Sequence, residues 1–102
     1  MTIRIPIPEI KTYSKDERKS IKELYESFHR LDSEFWTYET IFHQKFRINK
    51  RRRSVPVLAL RTKRRGPALW LIAGIHGEEP AGPNTIVEHI GFLNDLAQKI
   101  PI

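Results

Sequence analysis

Two nearly uninterrupted apolar runs constrain the fold of this chain more than any other feature. Residues 55–60 read VPVLAL and residues 68–75 read ALWLIAGI, and each run is bounded by basic or turn-forming residues. Runs of this length are typical of strands that are covered on both faces. Pro56 is compatible with a strand because it lies near the start of its run, where a missing N–H is tolerated. Both runs therefore predict central strands of a sheet.

The segment before these runs predicts a further strand. Over residues 38–48 the apolar side chains recur with a period of two, which is typical of a strand with one buried face. The apolar face consists of Tyr38, Phe42, Phe46 and Ile48. The opposite face carries mostly Glu39, His43, Lys45 and Arg47. We therefore expect one half-buried strand followed by two buried strands.

A helix is predicted before the strands. Residues 1–13 contain Pro6 and Pro8 and have no helical period, so they predict an extended lead-in. Ser14 and Glu17 have the spacing of a capping box, which predicts that the first helix begins there. Its buried stripe would consist of Ile21, Leu24, Phe28, Leu31 and Phe35.

A second helix is predicted after the strands, beginning near Pro80 and ending at Pro101. Its apolar positions at helical spacing are Ile86, Ile90, Leu93, Ala97 and Ile100. The order helix, three strands, helix places the chain in the α/β class. A length of 102 residues corresponds to one domain at most. Three strands with two helices leave an open sheet edge and an uncovered face, so we expect an incomplete mixed sheet.

The composition excludes several kinds of site. The chain has no cysteine, which excludes disulfides, thiolate zinc sites and cysteine nucleophiles. The N-terminal sequence MTIRIPIPEIK lacks the apolar core of a signal peptide. The longest apolar run is far shorter than the roughly 20 residues that a membrane-spanning helix needs. We therefore expect a cytoplasmic protein without a membrane partner.

The sequence GIHGEEPAGP, residues 74–83, joins the second apolar run to the predicted C-terminal helix. It offers an imidazole at His76 and a carboxylate at Glu79, both of which suit a borderline divalent metal such as zinc. Between a strand and a helix, residues three apart can converge on one point. Gly74 and Gly77 allow backbone conformations that other residues disfavour. The helix dipole also favours a carboxylate at the helix N-terminus, so Glu79 would keep its charge easily.

Residues 69–83, LWLIAGIHGEEPAGP, resemble the first metal motif of the zinc carboxypeptidases in the broad sense. This family includes the branch of the succinylglutamate desuccinylases and aspartoacylase-like deacylases. Its motif is a His-x-x-Glu that follows a hydrophobic strand and precedes a helix. The resemblance implies that His76 and Glu79 are the first two zinc ligands, while Glu78 occupies the variable position. It covers the N-terminal part of the family's mixed-sheet fold, here residues 37–102, preceded by the lead-in and amphipathic helix, residues 1–36.

The resemblance also implies a function. The family members are zinc-dependent hydrolases that cleave an amide bond near a free carboxylate, in a peptide or in an acylated amino acid. Their third ligand is a second His well downstream, followed by a Glu that acts as general base, and arginines grip the substrate carboxylate. These downstream residues have no matching positions here. We therefore expect an inactive or incomplete N-terminal fragment that binds zinc weakly.

The other histidines do not offer a third ligand. His89 lies on the predicted helix at roughly 13 to 15 Å from Glu79, given a rise of about 1.5 Å per residue. It would therefore not reach the same metal. We expect His29 and His43 at the surface.

The net charge of +6 arises in the middle of the chain. Half of the eighteen Lys and Arg residues lie between Arg47 and Arg65, with no acidic residue among them. A non-enzymatic basic module that binds nucleic acid or another anionic partner is therefore the alternative function. We do not expect nucleic acid as a partner, for two reasons. The basic clusters at residues 47–53 and 61–65 would fill turns at opposite ends of a strand, ~20 Å apart. No aromatic residues would interleave with either cluster.

Two further interpretations of the basic clusters remain. They are either solvated turns, or the cluster at residues 50–53 lies near the metal and steers anionic substrates towards it.

Overall fold

The structure of the chain is a computed structural model that describes residues 1–9, 18–75 and 79–102. Its helices are α1 (Ile21–Phe28), α2 (Ala81–Glu88) and α3 (Ile90–Ala97). Its strands are β1 (Trp36–Ile48) and β2 (Arg51–Thr62), which pair in an antiparallel sheet. The protein is therefore a small mixed α/β domain, as the order of apolar patterns predicts in outline.

Helix α1 is shorter than the sequence pattern suggests. Its N-cap is Ser20, whose hydroxyl accepts a hydrogen bond from the Glu23 N–H at 3.1 Å. The predicted capping box at Ser14 and Glu17 lies outside the described residues. At the other end, the predicted continuation to Phe35 is wrong because a turn follows Phe28. The Asp32 carboxylate accepts the Glu34 N–H at 2.9 Å, which stabilises that turn.

The two strands form a long hairpin of 13 and 12 residues. The turn between them consists of Asn49 and Lys50, with φ angles of 49° and 64°. Two consecutive positive φ angles are typical of a type I′ turn, whose twist matches that of an antiparallel pair. Arg51 is already part of β2 and pairs with Ile48. The prediction that the basic cluster at residues 50–53 fills a turn is therefore wrong, because only Asn49 and Lys50 turn.

A β-bulge at Ile41 changes the face on which the following β1 side chains lie. Thr40 pairs with Leu58 and Phe42 pairs with Val57, so Ile41 is an extra residue in β1. Because side chains alternate along a strand, one inserted residue moves all later side chains to the opposite face. The prediction that Tyr38, Phe42, Phe46 and Ile48 share one face is therefore wrong for Tyr38. Tyr38 packs against the core cluster, and the other three lie on the outer face.

The predicted third strand at residues 68–75 is absent from the described structure, whose sheet has two strands. The segment is extended, and its side chains are exposed. The C-terminal residues occupy the positions beside it. The Leu69 N–H donates to the Pro101 carbonyl at 3.0 Å, and the Thr62 N–H donates to the Ile102 carbonyl at 3.0 Å. The prediction that residues 55–60 are covered on both faces is also wrong, since only Pro56 among them is buried and the others are half-buried.

The predicted C-terminal helix is interrupted at His89. Its φ of −119° and ψ of 29° are not helical, and they separate α2 from α3. The His89 Nδ1 lies 2.7 Å from the Thr85 carbonyl oxygen, which the His89 backbone N–H would contact in a continuous helix. The backbone N–H instead donates to the Ile86 carbonyl at 3.1 Å. The side chain therefore competes with the helical bond, and the helix breaks at this residue.

The core joins the N-terminal lead-in to helix α3. Leu31 is 1% exposed and Trp36 is 3% exposed. The buried cluster consists of Ile3, Ile5, Leu31, Trp36, Ile90, Leu93 and Ala97. The backbone holds the lead-in in place, since the Ile3 N–H donates to the Leu31 carbonyl at 3.0 Å. The core therefore takes residues from both predicted parts of the chain, residues 1–36 and residues 37–102.

One polar residue fixes α3 to the turn that follows α1. The Asn94 side chain accepts the Asp32 N–H at 2.9 Å through Oδ1 and donates to the Arg30 carbonyl at 3.0 Å through Nδ2. Arg30 in turn donates to the Val87 carbonyl at 2.8 Å. The helices of the described chain have eight residues each, and none is long and apolar enough to cross a membrane.

Candidate metal site and the basic hairpin

Glu79 lies where the chain enters helix α2. The N-cap of α2 is Pro80, and its side chain makes no capping bond. The sequence suggests that Glu79 lies in the first turn of this helix, but in the structure it precedes the first helical residue by two positions. Its side chain is exposed, and within the described residues it takes part in no ion pair. The carboxylate is accessible to a ligand from solvent.

Two glycines hold the extended segment against the start of α2. A Cβ on Gly82 would lie 3.1 Å from the Ala73 Cβ, so the two backbones approach closely. Gly74 has a φ of +80°, and a Cβ there would lie 3.6 Å from the Pro83 Cγ. Gly74 thus adopts the left-handed conformation that glycine favours. These contacts close the connection that contains the His-x-x-Glu sequence, because residues on both sides of it pack together.

His76 and Glu78 lie outside the described residues, so of the two predicted ligands the structure places Glu79 alone. A helix follows the motif at Ala81, as the sequence predicts, but the preceding residues 68–75 are extended without forming a strand within the described structure. The distance between the two ligands is not part of the described structure. His76 remains a predicted ligand.

The remaining histidines already have other contacts or lie at the surface. His29 forms the C-cap of α1, and its Nε2 lies 3.0 Å from the Ile5 carbonyl oxygen. The His89 ring contacts the Thr85 carbonyl, as described above. His43 is exposed on β1 opposite Pro56. Over residues 1–9, 18–75 and 79–102, no three His, Asp or Glu side chains are grouped so that they could hold a metal ion.

An open apolar cleft of about 1280 Å³ separates the sheet from the extended segment. It is lined by α1, by β2 and by residues 68–74. Tyr25 lines it, and its hydroxyl donates to the Pro56 carbonyl. Burial raises the pKa of Tyr25 above 10.0. Trp36 also lines the cleft, and its buried Nε1 has no hydrogen-bond partner within the described structure.

The sequence patterns do not reveal this cleft. Trp70 is 81% exposed and Ile72 is 72% exposed, whereas an apolar run of that length predicts burial. The indole N–H of Trp36 is buried without an acceptor among the described residues. A sequence does not reveal such an unpaired group, because it arises only when the chain folds.

The hairpin beyond the Ile41 bulge, residues 41–55, is called the hairpin arm below. The register of β1 and β2 assigns its side chains to two faces. The basic face carries His43, Lys45, Arg47, Arg52 and Ser54. The mixed face carries Phe42, Phe46, Ile48, Arg51 and Arg53. The expectation that no aromatic residues interleave with the basic cluster is therefore wrong, because the two-residue turn places Phe46 directly opposite Arg53.

Comparisons with protein-family models, with curated proteins and with solved structures found no match.

Proposed function

We propose that residues 68–102 carry part of the metal site of a zinc-dependent hydrolase of the carboxypeptidase or deacylase type. His76 and Glu79 are two of the zinc ligands in this proposal. The observation that carries it is the His-x-x-Glu sequence at a junction whose two sides pack through Gly74 and Gly82. The accompanying fold is the N-terminal part of a mixed-sheet carboxypeptidase-like fold, in a cytoplasmic protein.

The donor atoms of this pair fit zinc. An imidazole nitrogen and a carboxylate oxygen are common ligands of catalytic zinc, which binds three protein groups and keeps one position for water or substrate. The exposed Glu79 carboxylate has no competing ion pair within the described residues. Bound zinc would supply a Lewis acid and an activated water for hydrolysis of an amide near a free carboxylate. The substrate would be a peptide or an acylated amino acid.

The chain's own residues have a limited part in this chemistry. Gly74 and Gly82 fix the junction, and Glu79 contributes negative charge beside the start of α2. We propose that the third ligand, the general base and the group that binds the substrate carboxylate come from polypeptide outside these 102 residues. The chain by itself then binds zinc weakly and does not turn over substrate.

Zinc titration tests the ligand assignment. A chromophoric chelator in competition with the chain measures weak affinities, and the variants His76→Ala and Glu79→Gln are compared with His89→Ala and Glu78→Gln. We expect each of the first two to lower the affinity at least tenfold, because each removes one of two ligands. The second two should leave it unchanged. Binding should also weaken below pH ~6.5, where His takes up a proton.

Equal zinc affinity in the unmodified chain and in His76→Ala would refute the ligand assignment. The gene provides an independent test. If the proposal is correct, DNA downstream of the codon for Ile102 encodes, in some reading frame, a zinc-ligand His and a catalytic Glu. A downstream region that encodes neither would contradict the hydrolase proposal.

A further inference from the structure

The hairpin arm concentrates positive charge without any carboxylate. It contains Lys45, Arg47, Lys50, Arg51, Arg52 and Arg53, and the sequence has no Asp or Glu from Thr40 to Gly77. All six of these side chains are exposed. Among the residues that the structure describes, none of the six forms an ion pair. The arm is therefore a strongly positive surface whose charge the described chain does not neutralise.

Two features of the arm are unfavourable for stability. Arg47 and Arg52 are direct cross-strand partners on the basic face, where side chains of like charge destabilise a sheet. Lys50 has a φ of 64°, a conformation that glycine or asparagine adopts at lower cost. A bound polyanion would relieve the repulsion between the arginines. Unfavourable backbone conformations of this kind occur often at binding sites.

The mixed face places aromatic rings beside arginines. Phe46 pairs directly with Arg53, and Ile48 pairs with Arg51. Phe42 lies on the same face, four residues before Phe46, and is 49% exposed. At ~3.4 Å per residue the two rings are roughly 14 Å apart along the strand. Phe46 is half-buried, so its ring is partly accessible. Accessible aromatic rings next to arginines are the arrangement on which unpaired bases stack while their phosphates are neutralised.

We propose that the hairpin arm binds single-stranded nucleic acid. Arg51 and Arg53 contact phosphates, and Phe42 and Phe46 stack with bases on the mixed face. Lys50 at the turn, together with Lys45, Arg47 and Arg52 on the opposite basic face, extends the phosphate-binding surface around the arm. This function is separate from the proposed zinc site and does not depend on it.

The mixed face favours a single strand over other anionic partners. In a duplex the bases are stacked on each other, so the rings of Phe42 and Phe46 would have no role. An acidic protein would satisfy the arginines but offers no regular series of flat groups for the rings. The expectation against nucleic acid assumed that Arg51, Arg52 and Arg53 lie in a turn without aromatic neighbours, and the register contradicts that assumption.

Fluorescence anisotropy with a labelled 20-nucleotide oligothymidine tests the proposal on the whole chain. We expect a dissociation constant in the micromolar range at about 50 mM salt. If all six cations contact phosphates, the slope of log K against log salt should approach about −4, because each contact with a single strand contributes about −0.7. The double variant Arg51→Gln with Arg53→Gln should make the slope less steep by about 1.4.

A charge-matched control is available in the same strand and the loop after it. The double variant Arg61→Gln with Arg65→Gln removes the same charge, and Arg61 lies ten residues from Arg51, roughly 33 Å along β2. This distance exceeds a Debye length of about 8 Å. The control should therefore bind nearly as tightly as the unmodified chain. An equal loss in both double variants would show that overall charge determines binding, and would overturn the proposal.

The aromatic part of the proposal has its own test. Phe42→Leu keeps an apolar side chain but removes the ring, and should weaken binding at least about fivefold. Phe42→Tyr keeps the ring and should restore the affinity. Circular dichroism checks that both variants fold as the unmodified chain does, and Phe46→Leu provides a second ring variant. Two leucine variants that bind like the unmodified chain would overturn the stacking role.

Competitors identify the kind of partner. A duplex of the same length, polyglutamate and vesicles with anionic lipids are each added to the complex with oligothymidine. We expect all three to compete at least tenfold more weakly than unlabelled oligothymidine. Equal competition by the duplex, by polyglutamate or by the vesicles would overturn the assignment to single strands. The absence of binding at 50 mM salt would overturn the proposal as a whole.

Discussion

Replacing glycine by alanine should have opposite effects on stability at Gly74 and Gly91. Gly74 has a φ of +80°, and its added Cβ would lie 3.6 Å from the Pro83 Cγ, an ordinary contact. The cost of Gly74→Ala is therefore backbone strain, about 1–2 kcal/mol. Alanine also restricts the unfolded chain, which offsets about 0.4–1 kcal/mol of that cost. We expect a net destabilisation of about 1 kcal/mol.

Gly91 is the matched control. It lies in helix α3, and an added Cβ would have no neighbour within 4 Å. Alanine is favoured over glycine inside a helix by roughly 0.5–1 kcal/mol. Gly91→Ala should therefore stabilise the domain by that amount. Adding one methyl group should therefore change the free energy of unfolding in opposite directions at Gly74 and Gly91, with a difference of about 2 kcal/mol between the two variants.

Urea denaturation followed by tryptophan fluorescence measures this difference, since Trp36 is buried in the core. A change of 1 kcal/mol should shift the Tm of a domain of this size by about 4–8 °C. The m-value should stay constant if both variants change only the folded conformation. A Gly74→Ala variant as stable as the unmodified chain would refute the left-handed conformation at residue 74. It would also remove the support that the junction gives to the proposed metal site.

Two further predictions concern the apolar cleft. Burial raises the pKa of Tyr25 above 10.0. The neutral phenol therefore contributes its full stabilisation of the folded state below pH 10, and this contribution is lost as the pH rises through the raised pKa. Tyr25→Phe should abolish that alkaline loss in pH-dependent urea titrations, and an unchanged pH profile would contradict the buried phenol. Ile72, 72% exposed on the extended segment, should contribute to self-association. In sedimentation velocity Ile72→Lys should reduce association more than Phe92→Lys, a control that is 61% exposed on α3, and an equal reduction would contradict a role of the segment.

The two strands of the hairpin follow from the sequence, but their antiparallel pairing and the two faces do not. The period of two over residues 38–48 predicts β1, and the apolar run at residues 55–60 predicts β2. The adjacent apolar residues Ile41 and Phe42 break the alternation at the bulge, but such a break does not by itself identify an inserted residue. The face of every side chain after Ile41 depends on this one residue. The candidate nucleic-acid surface is therefore visible in the register and not in the periodicity.

Helix boundaries depend on competing local contacts that periodicity does not contain. The stripe from Ile21 to Phe35 predicts burial correctly at Leu31, although Leu31 follows the helix. The Asp32 carboxylate stabilises a turn there, and the buried position is reached from a different backbone conformation. At His89 the ring contacts the carbonyl that a continuous helix would use, so one side chain divides a periodic pattern into two helices.

The extended segment at residues 68–75 shows that an apolar run alone does not establish a strand. An apolar run indicates that burial of the segment is favourable, by roughly 25 cal/mol per Å² of apolar surface removed from water. It does not indicate which backbone will pair with it. In the described structure the C-terminal residues Pro101 and Ile102 bond the backbone at Leu69 and Thr62, and the segment's side chains stay exposed. The same run ends at the junction before Glu79, so whatever covers these side chains would also lie next to the proposed metal site. Zinc affinity and burial of the segment should therefore increase together when a partner surface is present.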